Sequence, residues 1–155
     1  MLRYSQAEIL RQAMINLGLG TDPTLLPLQP WPVYADGEPP SPDLCITVFS
    51  TSGKVDARMM NTGQSVQRPG VQIRVRSTDS RTGRSMIENI LKVLTEQMYM
   101  FNVSIGPGTS ANTYLIWALT DIGNIIALGK EVPHTRRNIF TLNAMLVYED
   151  TTLPD

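Results

Sequence analysis

The chain has 155 residues, of which 42% are hydrophobic and 17% charged, and its 13 basic and 14 acidic side chains almost cancel. This length predicts one domain with its own hydrophobic core, and the composition excludes a chain that is disordered throughout. The near-neutral charge excludes a global electrostatic attraction to nucleic acid or to an anionic membrane.

The cysteine count and the absence of long apolar stretches indicate the class of protein. Cys45 is the single cysteine, so the sequence predicts neither an intrachain disulfide nor a cysteine-based metal cluster, and it suits a reducing compartment. We find no secretory leader and no apolar stretch long enough to span a bilayer. We therefore expect a soluble protein made in the cytoplasm.

The first predicted element is a helix that begins at Ser5. Ser5 and Glu8 have the spacing of a capping box, and apolar side chains then recur on one side as far as Leu17. Gly18 and Gly20 follow directly and are expected to end the helix.

A proline-rich connector is predicted over residues 21–43. Its prolines lack a backbone donor and prevent a regular helix, so we expect an extended segment on the surface. Trp31, Val33 and Tyr34 are expected to add a short edge strand within it. The acidic side chains of this region are interpreted as ordinary solvated loop charges. They are Asp36, Glu38, Asp43 and, beyond the connector, Asp56.

Two strands and an intervening polar segment are predicted next. Residues 44–49 form an apolar, β-branched run that ends at a turn over residues 51–53. Residues 71–76 alternate strictly, which predicts a strand with one core face and one outward face. The core face carries Val71, Ile73 and Val75, and the outward face carries Gln72, Arg74 and Arg76. Residues 54–70 are too polar for the core and are expected to project from the sheet.

The remaining elements complete the predicted fold class. Apolar side chains recur at helical spacing from Asp79 to Met98, which predicts the longest helix, and three more strands are predicted over residues 114–120, 123–129 and 138–149. This order predicts an α+β fold, a mostly antiparallel sheet with both helices packed on one side. We expect a single domain over 1–155, composed of a helical part (1–20), the connector (21–43) and the sheet with the long helix (44–155).

Motifs that would indicate catalysis or cofactor binding fail on their chemistry. His134 is the single histidine and lies beside Pro133, so we expect a turn residue and predict neither a histidine metal site nor a Ser-His-Asp triad. Residues 50–54 read Ser-Thr-Ser-Gly-Lys, but they lack the earlier glycine and the final hydroxyl of a phosphate-binding loop. The sequence therefore predicts no enzyme, no cofactor and no metal.

Basic and methionine side chains are the candidates for a binding surface. Arginines on the outward strand face and in the last turn suit pairing with carboxylates of a neighbouring subunit or with phosphates, and an ordinary solvated sheet face is the alternative. Two adjacent methionines on the projecting polar segment suit a docking surface. The interface hypothesis comprises Lys54, Arg58, Met59, Met60, Arg68, Arg74, Arg76, Arg136 and Arg137.

Several stretches carry a family resemblance. They are Pro32-Val33-Tyr34, Pro42-Asp43-Leu44-Cys45-Ile46-Thr47-Val48, Arg68-Pro69-Gly70-Val71-Gln72-Ile73-Arg74-Val75-Arg76 and Asn138-Ile139-Phe140-Thr141-Leu142-Asn143. In their order, with the long helix after the third, the chain resembles the minor capsid and tail terminator proteins of tailed bacteriophages. The likeness runs from about Trp31 onward.

The resemblance implies a structural virion protein at the head-tail junction. It implies a hexameric ring that caps the tail tube, joins it to the neck and lets genomic DNA pass through its lumen without sequence-specific binding. The implied partners are other copies of the chain, the tail tube protein and a head-side neck or connector protein, without a membrane. The implied location is the virion tail and neck, after assembly in the host cytoplasm.

Two other functions remain open from the sequence. A head-closure or adaptor protein of the neck would share the ring and the partners. A small nucleic-acid-binding module would use the arginines, although such modules normally bring a basic excess and stacking aromatics.

Overall fold

A computed structural model describes residues 4–55, 67–106, 111–130 and 137–152 of the protein. Within these ranges the chain forms two helices and seven strands. In chain order they are α1 (Gln6–Asn16), β1 (Val33–Ala35), β2 (Cys45–Val55), β3 (Gln67–Ser77), α2 (Ser80–Gln97), β4 (Tyr99–Ile105), β5 (Asn112–Thr120), β6 (Ile126–Lys130) and β7 (Asn138–Asp150).

The strands form one mixed sheet. Neighbouring strands follow the order β1-β2-β3-β7-β5-β4, and β6 pairs with β7 off this path. Strand β1 runs parallel to β2, and the other described pairs are antiparallel. Helix α1 contacts both β1 and β4, the two ends of the strand order. The sheet therefore curls around α1.

Helix α1 forms as its capping box predicts. The Ser5 Oγ accepts from the backbone N–H of Glu8 at 3.2 Å, and the Glu8 carboxylate accepts from the backbone N–H of Ser5 at 2.9 Å. Leu17 caps the other end, and Gly18 follows with a φ of 78°, a left-handed conformation that glycine adopts without strain. The predicted start and end of this helix are confirmed.

Helix α2 also forms where the apolar periodicity predicts it. Asp79 is its N-cap and accepts from the backbone N–H of Arg81. Gly83 lies so close to the sheet that an added Cβ would be 3.0 Å from the Phe140 ring. The buried side chains of both helices belong to one core cluster with Ile73 and Leu142, which are paired neighbours on the same face of the sheet. Both helices therefore cover one face, as predicted.

Three sequence predictions differ from the structure. Strand β2 does not turn at residues 51–53 but continues to Val55, with an irregularity in its pairing to β3 between Thr51 and Lys54. Residues 54–70 were expected to project from the sheet, but residues 54–55 belong to β2 and residues 67–70 to β3. Residues 56–66 lie outside the described part of the chain. Strand β4 was not predicted at all.

Candidate subunit interface

Arg76 lies beneath the second half of the connector, which we call the strap (residues 36–43). Its guanidinium donates to the backbone carbonyl oxygens of Pro39 and Pro42, each at 2.7 Å, and lies 3.4 Å from the Glu38 carboxylate. The side chain is 2% exposed. Arg76 therefore fastens the strap to the outer face of the sheet, the face opposite the helices.

Arg74 holds the same carboxylate from the next outward position of β3. Its guanidinium donates to Glu38 at 2.8 Å and lies 5.8 Å from the centre of the Phe49 ring, a cation–π contact. The side chains are 28% exposed for Arg74 and 12% for Glu38. One partly buried carboxylate thus joins two arginines.

Arg137 fastens the far end of the strap. Its Nε donates to the Asp43 carboxylate at 2.7 Å, and its Nη2 donates to the backbone carbonyl of Pro40. Arg137 immediately precedes β7, the central strand beside β3. Arg76 and Arg137 together therefore hold residues 38–43 of the strap on the outer face.

These contacts correct two predictions. The outward side of β3 is not solvated at Arg76, because the strap covers it. Glu38, predicted to be a solvated loop charge, is instead mostly buried between two arginines, Asp36 is bound by serines, and Asp43 pairs with Arg137 while 50% of its side chain stays exposed. The alternation identified the correct face of the strand, and the covering segment lies more than thirty residues away in the sequence. Contact of the arginines with another subunit stays a prediction.

Asp36 joins three parts of the fold at the start of the strap. Its carboxylate accepts from the hydroxyl of Ser5, the cap of α1, at 2.7 Å and from the backbone N–H of Ser50 in β2 at 2.9 Å. Burial acts to raise the pKa of Asp36, but the hydrogen bonds from Ser5 and Ser50 outweigh it and hold the pKa below its ordinary value.

Cys45, the first residue of β2, pairs in register with Arg76 and is fully buried. Burial raises the pKa of its thiol to about 11, although the nearby Arg76 acts in the opposite direction. The thiol is therefore neutral near pH 7 and a weak nucleophile, as expected of a buried structural cysteine.

The other residues of the interface hypothesis are less informative. Arg68 is partly buried in β3 and pairs in register with Lys54 of β2. Arg58, Met59, Met60 and Arg136 lie outside the described residues, as does His134.

The first half of the connector forms an exposed apolar loop that the prolines alone did not predict, which we call the leucine loop (residues 22–30). Its tip presents Leu25, Leu26 and Leu28, which are 54%, 91% and 45% exposed. The signal was available, because three leucines within four positions among prolines are not an ordinary solvated loop.

Hydrogen bonds hold the base of the leucine loop. The Thr21 backbone forms a parallel bridge to Pro32, and its hydroxyl donates to the Pro30 carbonyl at 3.0 Å. The Asp22 carboxylate accepts from the N–H and the hydroxyl of Thr24 and lies 3.2 Å from Arg11. The hydrogen bond from the Thr24 backbone is the largest of several effects that lower the pKa of Asp22.

A second exposed apolar set lies at the β4 end of the sheet, which we call the Tyr-Met-Trp edge. Tyr99, Met100 and Trp117 are 74%, 47% and 41% exposed. The β4–β5 register pairs Tyr99 with Ala118 and Phe101 with Ile116. The strands are irregular here, because Met100 has a φ of 49° and the pairing of β5 with β7 shifts between Ile116 and Ala118.

A third exposed set lies on β6, whose five residues are all exposed. Ile126 and Leu128 are 47% and 50% exposed. Strand β6 pairs with β7 near Phe140, in the middle of the sheet, and not at either end of the strand order.

The described side chains do not assemble a metal site. Among residues 4–55, 67–106, 111–130 and 137–152, no three histidine, cysteine, aspartate or glutamate side chains form a group that would hold a metal ion. Neither described helix is long and apolar enough to cross a membrane. The described surface does carry exposed apolar side chains, which are typical of protein–protein contacts.

Comparison with known proteins identifies a family. The sequence model of the bacteriophage tail terminator protein family matches residues 13–100, more than half of the chain. The match extends from α1 to the start of β4, and so includes the leucine loop, the strap and β3. It begins before the stretch that carried the resemblance and does not reach β7. No curated protein matches the chain significantly.

Proposed function

Because the chain belongs to the bacteriophage tail terminator family, we propose that it caps the tail tube as a ring at the head-tail junction and joins the tube to the neck. Its role is structural and lies in the tail of the virion. The ring, its position and its partners are the proposal. We take the ring to be a hexamer, as the resemblance implies.

The distribution of exposed apolar side chains supports a ring. A closed ring requires a heterologous contact, in which two different patches of each copy meet. The leucine loop leads into β1 and the Tyr-Met-Trp edge lies on β4 and β5, so each copy presents unlike exposed apolar patches on different elements. This is the observation that carries the proposal beyond family membership.

The charges support a passage for DNA without strong binding to it. The net charge is close to zero, and Arg74, Arg76 and Arg137 pair with the chain's own strap. Phosphate-driven binding needs several cations that are available to the backbone of the DNA. We infer that DNA passes through the lumen of the ring without sequence-specific contacts.

Growth of tail tubes tests the proposal. Tail tube protein would be polymerised with increasing amounts of the purified chain, and tube lengths measured by electron microscopy. We expect the mean tube length to fall as the chain approaches one ring per tube, because a cap removes the growing end. Heat-denatured chain at the same concentration is the control.

Two results would contradict this function. Unchanged tube lengths with no chain at the tube ends would exclude a terminator. Binding to a purified head-side connector without binding to tubes would favour a head-closure or adaptor protein.

A further inference from the structure

We propose that the strap is a latch: residues 37–43 lift from the outer face of the sheet as a unit while the sheet and both helices stay folded. Opening would bring Arg74, Arg76 and Arg137 out of their contacts with the strap and expose Cys45 to solvent. The inference does not depend on the proposed ring, because every contact that it uses lies within one copy of the chain.

Charged and polar contacts, more than buried apolar side chains, hold the strap. Over residues 36–43 no side chain is buried, and none of these residues belongs to the core cluster. The strap is instead bound by arginines, through its two carboxylates at Glu38 and Asp43 and through three proline carbonyl groups. Segments with few buried apolar contacts open at a lower free energy than the whole fold does.

The sheet beneath the strap is stabilised by different contacts. Ile46 and Val48 of β2 and Ile73 and Val75 of β3 are fully buried in the core cluster, together with side chains of both helices. These apolar side chains lie on the face opposite the strap, so their contacts are kept when the strap lifts. The strap can therefore leave the sheet without loss of the core.

The closed strap buries polar atoms that lack hydrogen bonds. Within the described part of the chain, no hydrogen bond reaches Glu38 Oε1, Arg74 Nε or Arg76 Nε, and each of these atoms is hidden from solvent. Glu38 Oε1 keeps its ion pair with Arg76 at 3.4 Å. A buried polar group without a hydrogen bond has lost its hydration without compensation. Opening returns the three atoms to water, which offsets part of the contacts that are lost.

The start of the strap suits a hinge. Asp36 is tied to Ser5 and to Ser50, so this end of the strap stays in place. The next residue, Gly37, is exposed, and an added Cβ there would have no atom within 4 Å. Glycine has the widest range of backbone angles, so rotation at Gly37 can move residues 38–43 away from the sheet.

Cys45 reports on the opening of the strap. It is fully buried and pairs in register with Arg76 on the outer face. Burial has the largest influence on the pKa of its thiol, and the charges of Arg76 and Glu38 also act on it, so the thiol lies close to these strap contacts. Since Cys45 is the single cysteine, a thiol reagent labels one site.

Labelling of Cys45 in urea, below the unfolding transition, tests the latch on the unmodified protein. The labelling rate divided by the rate for the unfolded chain gives the fraction of molecules with an accessible thiol. We expect this fraction to exceed the globally unfolded fraction, obtained from urea denaturation, by about tenfold or more. We also expect it to change little with urea, because lifting the strap exposes little surface.

The opposite result is well defined. An accessible fraction that equals the unfolded fraction, with the same steep dependence on urea, would overturn the proposal, because the thiol would then be exposed only when the whole chain unfolds.

Glu38→Gln tests whether the ionic contacts hold the latch. Glutamine keeps the size of the side chain but lacks the charge that pairs with Arg74 and Arg76, so we expect the accessible fraction to rise by about tenfold. The matched control is Glu88→Gln, which removes a carboxylate from the exposed pair on α2 and is expected to leave the fraction unchanged. Circular dichroism checks that both variants are folded. Labelling of the folded Glu38 variant at the rate of the unmodified protein would show that the strap is not latched by this carboxylate.

Discussion

Asp36 shows how much of the fold a single side chain can connect. One carboxylate accepts hydrogen bonds from the cap of α1 and from the backbone of β2, at the point where the strap begins. In the sequence Asp36 is one of several acidic residues among prolines, and nothing distinguishes it from a solvated loop charge. Its partners are 31 and 14 positions away, beyond the reach of local patterns.

The lowered pKa of Asp36 predicts an acid-sensitive contribution to stability. Since the pKa of Asp36 in the folded state lies below its ordinary value of 3.8, the contribution is complete above about pH 5 and is lost as the pH falls through the folded-state pKa. We expect Asp36→Asn to lower the free energy of unfolding near pH 7 and to flatten its fall on acidification. Urea denaturation between pH 7 and pH 3 measures both.

The comparison for this prediction is another acidic residue. Glu88 pairs with Arg84 on the surface of α2, where both side chains are more than half exposed, so Glu88→Gln should change the free energy of unfolding near pH 7 little. Parallel pH profiles for Asp36→Asn and the unmodified protein would show that the Asp36 contacts do not stabilise the fold.

At the scale of elements, local patterns predicted the helices and most strands. The Ser5 capping box and the strict alternation of β3 depend on neighbouring residues, and the structure confirms both. Strand β4 was missed because it starts at Tyr99, directly after the last turn of α2, with no glycine or proline to mark the change. Alternate apolar side chains at Phe101, Val103 and Ile105 were the available signal.

The binding surface was predicted less well than the fold. The alternation of apolar and polar residues predicts that Arg76 lies on the outer face of β3. It does not predict that the strap covers this face, because that depends on the path of a distant segment. Exposure of the leucine loop is likewise a property of the folded chain, because an apolar run in the sequence normally predicts core. Three of the arginines expected at an interface, Arg74, Arg76 and Arg137, have partners within the chain, whereas several apolar side chains are exposed.

The strap predicts a large effect of removing its buried anchor. Arg76→Ala would leave the Pro39 and Pro42 carbonyl groups without a donor and Glu38 with one arginine instead of two. Breaking a buried charged pair costs about 3–5 kcal/mol, so we expect a loss of that order in the free energy of unfolding, measured in urea. Labelling of Cys45 by a thiol reagent should also become faster, because without Arg76 the strap is held less firmly on the sheet and the buried thiol becomes accessible more often.

The control for the strap is Arg84→Ala. The Arg84–Glu88 pair on α2 has the same chemistry at 3.0 Å but is exposed, and surface pairs contribute about 0–1 kcal/mol. Equal losses for the Arg76 and Arg84 variants, with equally slow Cys45 labelling, would show that the strap is not held by Arg76.

In the whole molecule, several charged side chains pair within the chain, whereas several large apolar side chains are exposed to solvent. Arginines and carboxylates fasten the strap to the sheet, while leucines and a Tyr-Met-Trp set remain exposed on different elements. Exposed apolar groups of this size favour association over a monomer. This distribution is what a subunit of a larger assembly requires.

The most direct test of the central claim is cryo-electron microscopy of tail tubes mixed with the purified chain. We expect a single ring of copies at one end of each tube, with an open lumen along the tube axis, and no rings along the sides. Tubes with bare ends, or chain bound along their length without rings, would contradict the proposal that this protein terminates the tail.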